Sequence, residues 1–312
     1  MAGARPLSRH GYEKEPDGSF SSPGRLRRRG CSSSRGLDFQ KDSPGDARDE
    51  ENRVAAGMNP AANATLGSGP DMGARIEGYR AELRVLQDWE PYLKMHSGLP
   101  GARANLELVE AVGEEADADR LWRLSASNDE FLALCGTAGL GKVALMEPET
   151  VMTWLKELAS DPRWRVREGV AMALQRIGRE DMSHLLAEMQ GWSAEGPFVQ
   201  RAAAAGLCEP ALLKQREHAV QTLVILDQIT TFLAATRDRK DDGFRVLRKA
   251  LGYCWSVAAA AAPENALPYF EKWMQSKDKD VAWVMKSNLA KARMAALRAD
   301  LPTPAAPSKR SA

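Results

Sequence analysis

The sequence has few of the residues that build metal sites and disulfides. Its 312 residues include four cysteines and four histidines, and no two cysteines form a CxxC pair. Zinc sites need clustered ligands, and disulfide frameworks need several cysteines in a short secreted chain. We therefore predict no metal site, no bound cofactor and reduced thiols, which are typical of a cytoplasmic protein.

Long hydrophobic runs and a strong net charge are missing as well. No apolar stretch approaches the ~20 residues that a transmembrane helix requires. The N-terminus lacks the hydrophobic segment of a signal peptide. A net charge of +1 gives the chain as a whole no general attraction to nucleic acid or membrane. We therefore expect a cytoplasmic protein that makes no membrane contact.

The composition divides the chain into three parts. Residues 1–73 are rich in Gly, Ser, Pro, Arg and Asp and poor in aromatic residues, which predicts a disordered tail. Translation could instead begin at Met58 or Met72, so it is open whether residues 1–57 belong to the mature protein. Residues 74–300 are predicted to form a helical domain, and residues 301–312 a flexible tail.

One central stretch shows helical periodicity most clearly. Four apolar residues recur at steps of four, four and three, which places them on one face of a helix: Val166, Val170, Leu174 and Ile177. Asp161-Pro162 predicts the start of this helix and Gly178 its end. A second helix is predicted over residues 148–159, so the two helices form a hairpin.

The same spacing of apolar residues recurs along the chain. Triplets with steps of four begin at Val166, Val199, Leu247 and Val281, which are 33, 48 and 34 residues apart. Their mean separation of about 38 residues lies in the range of two-helix repeats. The sequence therefore predicts an all-α fold built from helical hairpins, clearest over residues 148–298. An ordinary helical bundle is the alternative.

The central hairpin resembles a HEAT repeat. The residues that carry this resemblance are Asp161-Pro162, Val166-Arg167, Ala171, Ala173-Leu174 and Ile177-Gly178. The resemblance implies an α-solenoid of the armadillo type, with a long surface for a partner. The repeats that begin at Val199 and Val281 lack the arginine that follows Val166, so the number of repeats stays open.

A glycine-rich segment offers a different interpretation. Gly136–Lys142, GTAGLGK, matches the first seven positions of a phosphate-binding loop, whose backbone N–H groups cradle phosphates. The next residue is Val143, which has no hydroxyl group for a magnesium ion. A glycine-rich loop between helices is the alternative, and nucleotide binding is kept as a third hypothesis.

Charge is distributed unevenly over the predicted helical domain. Residues 76–200 contain 13 Lys and Arg against 21 Asp and Glu, whereas residues 201–299 contain 16 against 10. Basic residues beside an aromatic side chain can bind an acidic partner or phosphate. The candidate binding residues are Arg163, Trp164, Arg165, Arg167 and Arg201, and in the last hairpin Trp283, Lys286, Lys291 and Arg293.

The last hairpin leads to two hypotheses of function. The segment 271–293, with Trp283, Lys286 and Arg293, is similar to the repeats of HEAT-type DNA alkylation-repair proteins, which implies DNA held on a basic face. Lys286 and Arg293 are expected to share a helical face because they are seven residues apart. No GxSxG or HExxH motif is present, and we assign no catalytic residue. The first hypothesis is a non-enzymatic scaffold that binds another protein, and the second is a DNA-binding protein.

Overall fold

The computed structural model describes residues 70–301, and the part of the chain that it describes is helical without strands. Residues 1–69 and 302–312 lie outside the described residues. The predictions of a tail over residues 1–73 and another over 301–312 fall almost entirely on these residues. The first helix begins at Pro70, four residues before the predicted start of order. The predicted all-α fold is confirmed, with these α-helices in chain order: α1 (Pro70–Val85), α2 (Glu90–Met95), α3 (Leu106–Glu115), α4 (Ala118–Ser125), α5 (Glu130–Val143), α6 (Pro148–Leu158), α7 (Trp164–Glu180), α8 (Met182–Trp192), α9 (Pro197–Leu207), α10 (Arg216–Ala235), α11 (Asp242–Ala261), α12 (Pro263–Met274), α13 (Lys279–Leu289) and α14 (Ala295–Asp300).

Alternate helices stack on one another. Helix α1 packs on α3, α3 on α5, α5 on α7, α7 on α9, α9 on α11, and α11 on α13. We call these seven helices the stacked layer. From α8 onward the helices between them form a flanking layer, in which α8 packs on α10, α10 on α12, and α12 on the last helix, α14. Packing of each helix on the next but one is how consecutive helical hairpins bury a continuous core.

The repeated apolar triplets lie on α7, α9, α11 and α13 of the stacked layer. Their members are buried except for Leu289, which is partly buried. Steps of four keep three apolar side chains on one helical face, and this face meets the rest of the core. The predicted core positions of the central helix are therefore confirmed.

The central helix has other ends than the sequence predicts. Helix α7 begins at Trp164 and not at Asp161, because the Asp161 carboxylate accepts the N–H of Arg163 at 2.7 Å and holds a turn before the helix. It continues past Gly178 to Glu180. A Cβ atom on Gly178 would lie 2.7 Å from Cδ2 of Leu185. Gly178 is therefore explained by close packing and not by helix termination.

The segment Gly136–Lys142 is part of α5 and not a loop, so the interpretation as a phosphate-binding loop is wrong. A Cβ atom on Gly136 would lie 2.1 Å from the backbone nitrogen of Ser125, and one on Gly141 would lie 2.5 Å from the carbonyl oxygen of Ala173. These glycines let α4 and α7 approach α5 closely. The Lys142 ammonium donates to the Glu114 carbonyl at 2.7 Å.

The helical part of the last hairpin also differs from the prediction. The last hairpin does not continue as one helix after Leu289, because α13 ends there and a 3-10 turn follows at Ala292–Met294. Among the helices of the described region, none is long and apolar enough to cross a membrane.

Candidate functional site

The arginines of the predicted α7 cluster are engaged within the fold. Arg163 donates to both carboxylate oxygens of Asp161, at 2.9 and 2.7 Å, and to the Ser127 carbonyl at 2.7 Å. Arg165 donates to the Glu130 carboxylate at 2.9 Å, which joins α7 to α5. Arg167 donates to backbone carbonyl groups in the turn before α7. These three cations are therefore already neutralised or hydrogen-bonded.

Arg201 is the most buried member of this predicted cluster. Its side chain is 4% exposed, and its guanidinium pairs with the Glu168 carboxylate and donates to the Arg167 carbonyl at 2.8 Å. It thus joins α9 to α7. Trp164 stays partly exposed, with the Arg165 guanidinium 4.5 Å from its ring centroid. Arg163, Arg165 and Arg167 are partly exposed as well, so Arg201 is the one buried member of the cluster.

Similar arginine–carboxylate pairs join other helices of the stacked layer. Arg165 and Glu130 are 35 residues apart in the chain, and Arg201 and Glu168 are 33 apart. These separations are close to the 33 and 34 residues between the apolar triplets, and each arginine reaches a carboxylate of the preceding stacked helix. The further pairs are Arg80 and Arg84 with Glu115, Arg176 with Glu110 and Glu114, and Arg248 with Asp280. In most of these pairs the acidic and basic residues are 31–35 residues apart, with either one first, and in the pairs of Arg176 they are 62 and 66 apart, so spacing in the sequence predicts them only in part.

A different group of basic and aromatic side chains reaches the surface on α13. Lys279, Trp283 and Lys286 are four and three residues apart, so they follow one helical face. All three are exposed, and the Trp283 indole is 38% exposed. Neither lysine has an ion pair within the described residues. We call these three residues the α13 stripe.

The Trp283 indole is held in place by α11. The Arg248 guanidinium lies 3.8 Å from its ring centroid and 2.6 Å from a carboxylate oxygen of Asp280. The ring lies close to Gly252, where a Cβ atom would come within 2.7 Å of it. A residue larger than glycine would therefore displace the indole from α11.

A buried asparagine fixes α13 against α11. The Asn288 side chain donates to the Leu251 carbonyl at 2.8 Å and accepts the N–H of Ser256 at 2.8 Å. It also donates to the Val284 carbonyl of its own helix at 2.8 Å. Because Asn288 is fully buried, each of these bonds replaces one to water that folding removes. The α13 stripe is therefore presented on a rigid helix pair.

Two carboxylates lie beside the α13 stripe, at the start of α13. Asp278 and Asp280 at the start of α13 both pair with Arg239, at 2.7 and 3.3 Å. Burial alone would raise the pKa of Asp278, but the N–H of Val281 and the Arg239 guanidinium hold it below its usual value. Asp278 is therefore ionised at neutral pH, and because both carboxylates pair with arginines, neither forms an ion pair with Lys279 or Lys286.

The other two predicted residues of the last hairpin lie around a different aromatic ring. Arg293 donates to the Tyr253 hydroxyl at 3.0 Å, and the Lys291 ammonium lies 5.6 Å from the centroid of that ring. The prediction that Lys286 and Arg293 share a helical face is wrong, because α13 ends at Leu289. The structure therefore groups Trp283 with Lys286 and adds Lys279, which the sequence analysis missed.

Comparisons with known proteins give no family for this chain. No protein-family model matches it, and no curated protein matches its sequence. Among solved structures, two engineered proteins described as targets of the Northeast Structural Genomics Consortium align at 17% and 15% identity, with TM-scores of 0.33 and 0.32. The alignments cover 69% and 71% of this chain, and 96% and 60% of the engineered chains. TM-scores this low support no conclusion on fold or function.

Proposed function

We propose that this protein is a non-enzymatic, HEAT-like α-solenoid that binds an acidic segment of another protein in the cytoplasm. The repeated triplets on the stacked layer and the arginine–carboxylate pairs one repeat apart support the solenoid. Proteins of this kind present long surfaces to partners. The three cysteines within the described residues are free and buried, which fits a reducing compartment.

The α13 stripe is the observation that carries this proposal. Tryptophan is enriched among the residues that dominate binding energy, because it buries a large rigid surface. The position of Trp283 is fixed by α11, so binding costs it little conformational entropy. The two unpaired lysines on the same face select a partner of negative charge.

The number of free cations in the α13 stripe favours a protein over duplex DNA. Duplex-binding proteins neutralise about 6–10 phosphates, whereas the stripe supplies two lysines without ion pairs. Lys291 and Arg293 are occupied with Tyr253. One observation favours the second candidate, nucleic acid: an exposed indole beside cations can stack on an unpaired base.

The test measures the binding of two anionic probes to the full chain. Fluorescence anisotropy follows a short labelled peptide of alternating glutamate and alanine, and a labelled DNA in single-stranded and duplex form. We expect the peptide to bind. The double variant Lys279→Glu with Lys286→Glu should lower the affinity for the peptide roughly tenfold or more. Trp283→Ala should weaken it as well.

The control variant is Lys214→Glu, which changes an exposed lysine that also lacks an ion pair within the described residues. It should leave peptide affinity unchanged. Equal peptide affinity in the wild type, the double variant and Trp283→Ala would contradict the assignment of the stripe. Tighter binding of DNA, with a logarithmic salt slope well beyond the value of roughly −2 that two lysines give, would replace the protein partner by nucleic acid.

A further inference from the structure

A groove opens between α4 and α6, at a site separate from the α13 stripe. Its volume of about 530 Å³ lies within the range of pockets that hold ligands. The lining includes two tryptophans and two glutamates, with smaller residues between them: Trp122, Ala126, Glu149, Thr153, Trp154 and Glu157. We call it the α4–α6 groove.

The apolar part of the groove is preformed. The Trp154 indole N–H donates to the Ser125 hydroxyl at 3.0 Å, which joins α6 to the end of α4. The Thr153 hydroxyl donates to the Glu149 carbonyl at 2.8 Å, so its one donor is used within α6. Trp122 and Trp154 are each partly exposed, and part of each ring therefore meets solvent in the groove. A fixed aromatic surface loses little entropy when a partner covers it.

The charge of the groove is negative and uncompensated. Glu149 and Glu157 are the ionisable residues of its lining, and neither carboxylate has an ion pair or side-chain hydrogen bond within the described residues. The lysine beside Glu157 is held elsewhere, because the Lys156 ammonium lies 3.0 Å from the Glu195 carboxylate and 5.8 Å from the Trp192 ring centroid. The groove thus combines free carboxylates with exposed indole surface.

We propose that the α4–α6 groove binds a segment of a partner protein that carries lysine or arginine. A cationic side chain matches both features of the lining, because the carboxylates attract its charge and an indole face attracts a cation through its quadrupole. Its aliphatic stem can lie along the rings. An acidic segment is repelled by Glu149 and Glu157, and a purely apolar one leaves both carboxylates without a partner.

The test uses the full chain and a short labelled peptide in which lysine alternates with alanine. Fluorescence anisotropy measures its affinity, and the glutamate–alanine peptide provides the comparison of opposite charge. Glu149→Gln combined with Glu157→Gln should weaken binding of the lysine peptide roughly fivefold, because each partly exposed charge pair contributes modestly. Trp122→Ala should weaken it roughly tenfold or more.

A matched control removes the same two negative charges elsewhere. Glu180→Gln on α7 combined with Glu217→Gln on α10 changes two exposed glutamates outside the groove, and the affinity should stay within about twofold of the wild type. The double variant Lys279→Glu with Lys286→Glu should not weaken binding of the lysine peptide. This outcome separates the groove from the α13 stripe.

A second readout keeps the test independent of any folding defect in the Trp122 variant. The indole N–H signal of Trp154 in an NMR spectrum, assigned with Trp154→Phe, should shift when the lysine peptide is added to the otherwise unchanged protein. The proposal is overturned if the peptide does not bind the full chain, or if this signal stays in place. It is equally overturned if the groove variant and the control variant lose the same affinity.

Discussion

Arg201 places a full positive charge where water has almost no access. Its guanidinium pairs with Glu168 and donates to the Arg167 carbonyl, so Arg201→Ala leaves a carboxylate near the helix interface without its cation. Removing one partner of a fully buried ion pair costs about 3 kcal/mol or more, and because Glu168 is 26% exposed the cost here is about 2 kcal/mol. We expect a loss of this size in the free energy of unfolding, measured with urea.

Arg179, on α7, provides the comparison for the Arg201 variant. Its side chain is 48% exposed, and its guanidinium lies 3.9 Å from the Glu110 carboxylate. Exposed pairs contribute little, so Arg179→Ala should change the free energy of unfolding by less than about 0.5 kcal/mol. Similar losses in both variants would show that burial does not govern the contribution of these arginines.

The stability of the folded protein depends on pH through the Glu115 carboxylate. The guanidinium of Arg84 donates to its carboxylate at 2.7 Å, and Arg80 donates to it at 2.6 Å. These bonds lower the pKa of Glu115 from an ordinary value of 4.5 to about 2. Since the folded pKa is the lower one, the pairs stabilise the protein above pH 4.5, and this contribution is lost as the pH falls toward 2.

The variant Glu115→Gln should therefore be less stable than the wild type at pH 7, by about 1 kcal/mol for this partly exposed network. The difference should shrink as the pH falls from about 4.5 to 2. Urea unfolding of both proteins over this range measures it. A difference that is the same at every pH would mean that the carboxylate charge is not its source.

Close approach of helices decides the effect of glycine substitutions in this fold. Gly136 of α5 faces the backbone of α4, and an added Cβ atom would lie 2.1 Å from the Ser125 nitrogen. Overpacking of this kind costs about 2 kcal/mol, more than the helix propensity that alanine adds. We expect Gly136→Ala to lower the midpoint of thermal unfolding.

Gly191 of α8 is the matched case without crowding. No atom lies within 4 Å of the position of its added Cβ. Gly191→Ala should raise the free energy of unfolding by about 0.5–1 kcal/mol, because alanine loses less backbone entropy in a helix. If Gly136→Ala also raised the free energy of unfolding, helix propensity and not packing would dominate at Gly136.

Helix periodicity was the part of the fold that the sequence predicted well. The triplets that begin at Val166, Val199, Leu247 and Val281 all lie on stacked helices, because a spacing of four positions depends only on local geometry. The end of α7 was predicted wrongly, since Gly178 is a termination signal in isolation and a packing residue beside Leu185. Contacts with distant residues, which periodicity does not contain, determined that outcome.

The candidate site could be predicted only in part for the same reason. Trp283 and Lys286 were found from residue type, and they do lie together at the surface. Arg165 and Arg201 are basic like Lys286, but they pair with carboxylates 35 and 33 residues earlier in the chain. Whether a cation is free or paired depends on a residue more than thirty positions away, and only the packed structure shows the pair.

At the scale of the whole molecule, the two proposed surfaces differ in sign. The α4–α6 groove lies in the part of the chain where Asp and Glu exceed Lys and Arg. The α13 stripe lies in the part where Lys and Arg exceed Asp and Glu. Opposite signs within one chain separate the partners that each surface accepts. A scaffold with these two surfaces would hold an acidic and a basic partner at the same time.

Helix α5 packs against helices that come before it in the chain and against helices that come after it. It packs against α2, α3, α4, α6 and α7, and all its residues from Phe131 to Gly141 are buried. The link after it is open, with Leu145 58% and Met146 70% exposed. We expect limited proteolysis to cut at this link and the two pieces to elute together in size-exclusion chromatography. Separate elution would contradict this expectation.

The burial of α5 therefore limits how the molecule can be divided. We expect that residues 148–298 do not fold stably on their own, because α7 would lose the helix that covers Gly169 and the apolar residues around it. A genetic truncation at Pro148 would expose a hydrophobic surface that the intact chain never shows to solvent. Periodicity in the sequence shows where a pattern recurs. The buried helix α5 shows instead that a fragment able to fold, or to be transferred to another protein, has to include it.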